Sequence, residues 1–238
     1  MTALPQGFRL AKSLLGRDDI ERLRSAVNDS IDRVARSMLT PYETSCPGVP
    51  LEERLERVAD RDRAYASALW QVVMADAQRD PRLADLPRHP ALAAVISDVL
   101  APATPSGFIL RTRTASRAFS ARISPWHQDV VRPDEKTGCA RVRLACWIPL
   151  ADVEEGTGAL ELISAAAQQP LPHVMRDDGH FEIPAEALPA GEQHVIAMRA
   201  GDVLLLDRFV THRARPVQGL RARWAVVMWV KAGGTTTC

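Results

Sequence analysis

Two stretches of the chain carry residue types that could hold a metal. Trp126-His127-Gln128-Asp129 contains an H-x-D triplet, and His212 follows the apolar run 203–206. On an extended segment side chains repeat every two residues, so His127 and Asp129 point to the same side. A distant strand end can then supply the third ligand. Two imidazoles and a carboxylate on one face of an octahedral Fe(II) leave three positions open for substrate chemistry. With six histidines and 17 aspartates in 238 residues, an H-x-D alone is weak, and a capped or core histidine explains it as well. His180-Phe181-Glu182 is a rival H-x-E. Order gives the triplet its weight. His127-x-Asp129 precedes the alternating run 142–150, then come the turn Gly156-Thr157-Gly158, the run 203–206, His212 and an arginine-bearing run.

The elements that must position these residues fall into two halves. From 18 to 39 the apolar positions Ile20, Leu23, Val27, Ile31, Val34 and Met38 mark one face of a helix, with Asp18 and Asp19 in its first turn. Leu51, Leu55 and Val58 mark a second helix, residues 65–77 a third, and Pro90 opens a fourth carrying Leu92, Val95, Ile96 and Val99. Residues 7–15 read as a short strand ahead of them, and 40–50 as a loop. Beyond Pro102 and Pro105 the period becomes two. Val142, Leu144, Cys146, Ile148 and Leu150 alternate with Arg141, Arg143, Ala145 and Trp147, a half-buried strand. The run 203–206 is a fully apolar strand, and 220–231 alternates again, with Arg221 and Arg223 on one face. Helices first and strands later predict an α+β fold, with a sandwich or barrel in the second half.

Composition excludes several classes. Thirty basic residues face 29 acidic ones, so no global field favours nucleic acid or an anionic membrane. The longest apolar run near the C-terminus, 224–230, is far short of the roughly 20 residues that span a bilayer. Residues 1–15 show no secretory pattern, and Cys46, Cys139, Cys146 and Cys238 have no CxxC spacing, so reduced thiols in a cytoplasmic protein are expected. The basic side is 27 arginines and three lysines, and arginine forks carboxylates in a way lysine cannot.

Four ordered blocks resemble the phytanoyl-CoA dioxygenase family: residues 126–129, Cys146-Trp147-Ile148-Pro149-Leu150-Ala151-Asp152-Val153 with Gly158-Ala159-Leu160-Glu161-Leu162-Ile163, Gly201-Asp202-Val203-Leu204-Leu205-Leu206, and His212. The likeness is good over about 106–230. It implies a double-stranded β-helix (jelly roll) with helices packed on it, in one domain over 1–238: a mostly helical part, 1–105, and a core, 106–234. It implies Fe(II), 2-oxoglutarate and O2, with His127, Asp129 and His212 as iron ligands. The family's arginine for the distal carboxylate of 2-oxoglutarate lies about eleven residues past the second histidine. That is Arg223, although alternation alone does not separate it from Arg221. Arg113, with Arg111 beside it, and Trp147 are further candidates on the co-substrate side. Trp126, Arg132 and Phe209 flank the ligands and are candidates for the substrate pocket. Ser164-Ala165-Ala166-Ala167, Ala214 and Pro216-Val217 depart from the family's usual residues, so its secondary co-substrate contacts do not carry over.

The reading is a 2-oxoglutarate-dependent dioxygenase that hydroxylates a C–H bond of a small metabolite with release of succinate and CO2. Its alternatives are desaturation, epoxidation or cyclisation at the same iron, and a non-catalytic jelly-roll binding protein. Partners are a small-molecule substrate, no nucleic acid and no membrane, with the chain a monomer or homodimer. The Pro-rich connection 165–192 is expected to be either a lid over the site or a plain surface excursion.

Overall fold

The computed structural model describes all residues except 1–3, 5, 130–139, 165–168 and 234–238. The chain starts with β1 (Phe8–Ala11) and continues through α1 (Arg17–Ser37), α2 (Leu51–Arg61), α3 (Arg63–Asp76), α4 (Pro81–Ala84) and α5 (Pro90–Leu100). The strands follow: β2 (Pro105–Ala115), β3 (Ala140–Pro149), β4 (Leu160–Ser164), β5 (Val174–Met175), β6 (Phe181–Glu182), β7 (Glu192–Ile196), β8 (Val203–Asp207), β9 (Thr211–Ala214) and β10 (Arg223–Gly233). The fold is α+β, as expected. None of the helices among the described residues is long and apolar enough to cross a membrane.

One antiparallel sheet has the order β1-β8-β3-β10-β2 and a second the order β7-β4-β9. Their facing sides share one apolar interior: Ala145, Trp147, Leu204, Leu206, Ala225 and Val227 from the larger sheet meet Leu160, Leu162, Ile196 and Ala214 from the smaller. The opposite face of the larger sheet, with Leu144, Cys146, Ile148, Leu205, Val226 and Met228, packs on the helices. The apolar stripe of α1 joins the same core on the helix side, as its 3.6-residue spacing allows, and Leu23, Val27, Ile31 and Val34 are buried.

Burial on both faces corrects one expectation. β3 is not half-buried: Ala145 and Trp147 look into the interior and are as sheltered as Cys146 and Ile148. Two-sided burial also explains the unbroken apolar run of β8. The strand expected over 7–15 shrinks to β1, which pairs with β8 at the sheet edge. The strand expected from 220 starts at Arg223, because the preceding residues turn and leave Leu220 exposed.

The helices also fix the ends of the strands that carry the site. The Glu56 carboxylate, 1% exposed, accepts the N–H of Arg117 (2.9 Å) and of Ala118 (3.2 Å) just past β2. Arg24 donates to the Leu150 carbonyl at 2.8 Å and ion-pairs with Glu52. The N–H of Ala222, next to Arg223, donates to the Glu52 carbonyl at 2.6 Å. Glu56→Ala strands two sheltered donors and should cost about 1–3 kcal/mol, measurable as a lower urea midpoint. An unchanged midpoint would show that this link is dispensable.

Candidate active site

Residues 124–127 run antiparallel to β9, with Ala214 N–H donating to Ser124 O at 3.1 Å. His127 and His212 stand directly opposite each other and exchange both backbone hydrogen bonds, 2.9 Å each. Directly opposed residues share a face, so the two imidazoles lie side by side, with ring centroids 4.2 Å apart. Each Nδ1 sits on a backbone carbonyl: that of Pro125 at 2.8 Å for His127 and that of Val210 at 3.0 Å for His212. A carbonyl only accepts, so each Nδ1 carries the hydrogen and each Nε2 presents a lone pair.

Asp129, two residues past His127, turns its carboxylate to both lone pairs. Oδ1 is 3.9 Å from His127 Nε2 and Oδ2 is 3.9 Å from His212 Nε2. That is too long for hydrogen bonds. The donor atoms all lie within 4.8 Å of one another, close enough to gather round one ion. Burial and the adjacent His212 push the His127 pKa far down, only partly offset by Asp129, so its lone pair is free at neutral pH. A metal needs that neutral form. Among the described residues no other group of histidine, cysteine or carboxylate side chains comes together this way. The rival His180 pairs with Asp178 at 3.2 Å and Glu182 with Arg176 at 3.4 Å.

Gln128, the middle residue of the triplet, must point away from its two neighbours, and its side chain is 4% exposed. Its Nε2 donates to Phe209 O at 2.7 Å and its Oε1 accepts from Leu171 N–H at 2.8 Å. Its backbone N–H donates to His173 Nε2 at 3.1 Å, while His173 Nδ1 donates to Leu171 O at 2.8 Å. Ile183 N–H reaches back to Trp126 O at 2.7 Å. The connection expected to be a lid or an excursion is therefore a strap tied to both sides of the metal-facing segment; its residues 165–168 lie outside the described ones. The sequence carried no signal for Gln128 or His173, because their partners are backbone groups far along the chain.

Arg223 opens β10 on the interior face and is 6% exposed. Its Nε donates to Gly158 O at 3.0 Å and its guanidinium lies 5.3 Å from the Trp147 ring centre. Its Nη1 is sheltered and has no hydrogen-bond partner among the described residues. Burial and, secondarily, Arg113 pull its pKa down to about 9. Gly158 has φ +84°, and a Cβ there would meet Arg223 Cβ at 3.0 Å. Glycine at this turn lets the arginine pass beside the chain. Arg221 precedes the strand and is exposed, a distinction that alternation could not make.

Arg113 faces the same interior across from Ala225, with its guanidinium 5.4 Å from the Trp229 ring centre. Burial lowers its pKa while Asp129 raises it. Arg111, which the register places on that face, swings out to Gln78 Oε1 at 2.8 Å. Trp126 alternates with His127 and lies on the other face of the segment, 8% exposed, with the Arg213 guanidinium 4.6 Å from its ring centre. Phe209 sits in the turn before His212 and is half-buried. Arg132 lies outside the described residues.

The family model described as phytanoyl-CoA dioxygenase matches residues 6–225. The chain belongs to this family. Phytanoyl-CoA dioxygenase family members are non-haem, 2-oxoglutarate-dependent oxygenases, and the chain is an oxidoreductase of that kind. The His127–Asp129–His212 cluster fits the family's iron. No curated protein matches the sequence significantly. Among solved structures, EvdO2 from Micromonospora carbonacea var. aurantiaca, complexed with 2-oxoglutarate, superposes with a TM-score of 0.60 at 16% identity over 98% of this chain and 89% of its own. The carbocyclase SnoK from nogalamycin biosynthesis gives a TM-score of 0.56 at 18% identity over 96% and 80%. The epimerase SnoN, in complex with Fe3+, α-ketoglutarate and nogalamycin RO, gives 0.56 at 14% over 96% and 80%. At such identities the likeness is one of fold.

Residues that orient metal ligands from behind typically govern affinity by ten- to a hundredfold. Gln128→Ala should weaken Co(II) or Fe(II) binding by roughly that range, read by calorimetric titration, with little change in melting temperature. Wild-type affinity in this variant would leave the strap without influence on the ligands.

Proposed function

We propose that this phytanoyl-CoA dioxygenase family enzyme oxidises a C–H bond of a small metabolite, with hydroxylation as the default outcome. His127, Asp129 and His212 hold iron, and Arg223 holds the distal carboxylate of 2-oxoglutarate. One observation carries the reading: a buried guanidinium, its Nη1 without a hydrogen-bond partner among the described residues, faces the interior that also contains two imidazoles and a carboxylate. A buried, half-satisfied cation is costly unless a ligand completes it. A dicarboxylate with one end on the metal and the other on Arg223 does so, through a charge-assisted pair. Bound there, iron and 2-oxoglutarate supply oxidising power, with O2 consumed and succinate and CO2 released.

The chain's own residues position and shelter. The two backbone carbonyls hold each imidazole with its lone pair inward. Trp147 lies beside the Arg223 guanidinium and, with Ala225 and Val227, lines an apolar wall, whose low polarity strengthens the ion pair. A second outcome at the same site, ring formation or epimerisation, has support from the carbocyclase and the epimerase among the structures of like fold.

Two variants test this. His127→Ala should abolish succinate formation while the fold persists, and normal turnover would remove His127 from the metal site. Arg223→Ala should raise the 2-oxoglutarate KM roughly ten- to more than a hundredfold, the equivalent of about 1.5–3 kcal/mol. Arg221→Ala should leave it nearly unchanged. The reverse ranking would move the co-substrate site.

A further inference from the structure

Three histidines in this half of the chain are held alike. Nδ1 of His127, His173 and His212 donates in each case to the carbonyl two residues earlier, at 2.8, 2.8 and 3.0 Å. His194 of β7 is held by its other nitrogen. Its Nε2 lies 3.1 Å from Ser164 Oγ, and Ser164 Oγ lies 3.4 Å from Glu192 O. A carbonyl only accepts, so both contacts coexist only if the hydroxyl donates to Glu192 O and accepts from His194 Nε2–H. Nδ1 then carries the lone pair, and among the described residues it has no hydrogen bond. The Glu192 carboxylate is exposed and 3.8 Å from Nε2, too far to bond.

The register puts His194 in line with the metal site. Leu162 of β4 stands directly opposite His212 of β9 on one side and His194 of β7 on the other. Directly opposed residues share a face, so His212, Leu162 and His194 form one row on the interior side of the smaller sheet. Neighbouring strands lie about 4.8 Å apart, which sets the backbone of His194 about 10 Å from that of His212, with an apolar side chain between them. A contact across the sheets agrees: the Phe8 ring of β1 lies 6.2 Å from the imidazole, tilted by 49°. Phe8, Leu10 and Leu206 belong to the same apolar interior as Leu162. His194 and Ser164 are polar groups in this surround, and the His194 side chain is 30% exposed, so a molecule can reach it.

We propose that His194 Nδ1 determines specificity by accepting a hydrogen bond from a hydroxyl of the molecule that the enzyme oxidises. The substrate is then an apolar alcohol laid across Leu162, with its hydroxyl on His194 and a C–H bond beside the metal. This rests on the metal site as read under Proposed function. The apolar surround favours a neutral donor, since an ammonium group would lose its hydration there without an opposite charge. Ser164 acts through the ring as a positioning residue. It fixes the tautomer, so that an acceptor rather than a donor is presented. A molecule of the same shape without the donor leaves a sheltered lone pair unmatched, and that difference is the ground for selection.

The test loads the protein with 2-oxoglutarate and Zn(II), a diamagnetic ion that imidazole also binds, and follows the histidine nitrogens by long-range proton–nitrogen NMR. His194 should be the Nε2–H tautomer. Cyclohexanol should shift its Nδ1 resonance saturably without displacing 2-oxoglutarate, and methoxycyclohexane, which lacks the donor, should not shift it. His194→Phe keeps an aromatic ring against Phe8. It should weaken cyclohexanol binding roughly three- to tenfold by calorimetry, with wild-type affinity for Zn(II) and 2-oxoglutarate. His194→Gln, whose amide oxygen accepts, should recover part of that loss. Three results overturn the proposal: His194 in the Nδ1–H tautomer, a response to cyclohexanol that is absent or matched by its ether, or cyclohexanol affinity that His194→Phe leaves intact. Wild-type protein that takes up neither Zn(II) nor 2-oxoglutarate is a different failure. It removes the metal site itself, and this inference with it.

Discussion

The pairing of His127 with His212 is the constraint on which the site depends. Two backbone hydrogen bonds of 2.9 Å bring residues far apart in sequence to one level of a sheet, and no side chain takes part. Once they are opposed, the rest follows from strand geometry. Both imidazoles share the interior face, Asp129 joins them after one period, and Gln128 is turned out toward the strap. Backbone carbonyls at Pro125 and Val210 set both tautomers, so the same backbone that places the rings also decides which nitrogen faces the ion. Any sequence that keeps this pairing keeps most of the ligand geometry, which leaves the surrounding loops free to vary.

A sheet buried on both faces makes the interior usable. One face of β10 gives Trp224, Val226, Met228 and Val230 to the helix layer, and the other gives Arg223, Ala225 and Val227 to the chamber. Small residues near Arg223 leave room for its guanidinium to lie along the wall. The helices contribute from outside. Glu52 and Glu56 of α2 and Arg24 of α1 tie down the ends of β2, β3 and the entry to β10, all at the base where Arg223 sits. Cys146, on the helix side of β3, is held as a thiol because burial pushes its pKa up to about 12. The sheet itself stands between that sulfur and the chamber.

Sequence periodicity revealed the helix faces, β1, β3, β8 and β10, and the H-x-D with its distal histidine, because each is a local pattern or a short spacing, while the short strands β4, β7 and β9 of the smaller sheet went unread. Three features of the site also escaped it. Arg221 and Arg223 share a parity, and only the point where the strand begins separates the exposed one from the buried one. Trp126 adjoins a ligand in sequence yet faces away from it, since neighbours on a strand point to opposite sides. Gln128 and His173 act through backbone groups of Phe209 and Leu171, and a sequence pattern does not display carbonyls and N–H groups as partners. What remained hidden is therefore tertiary hydrogen bonding, while what was legible is alternation.

The strong preference for arginine over lysine takes on meaning when two buried arginines are set side by side. Arg54, 1% exposed in the helix layer, is satisfied by its own fold. Its Nε donates to Ser45 O at 2.7 Å, Nη1 to Asn28 at 2.8 Å, and Nη2 to Asp32 at 2.5 Å and the Ser45 hydroxyl at 3.1 Å. Arg223 is nearly as sheltered, but among the described residues only its Nε has a hydrogen-bond partner, and a peptide carbonyl at that. A planar fork fixed by packing is suited either to lock a structure or to receive a carboxylate. Full satisfaction marks the first use. A fork pinned at one nitrogen, beside a chamber that holds two imidazoles and a carboxylate, suits the second, because the fold orients the guanidinium and leaves Nη1 open to an anion from elsewhere.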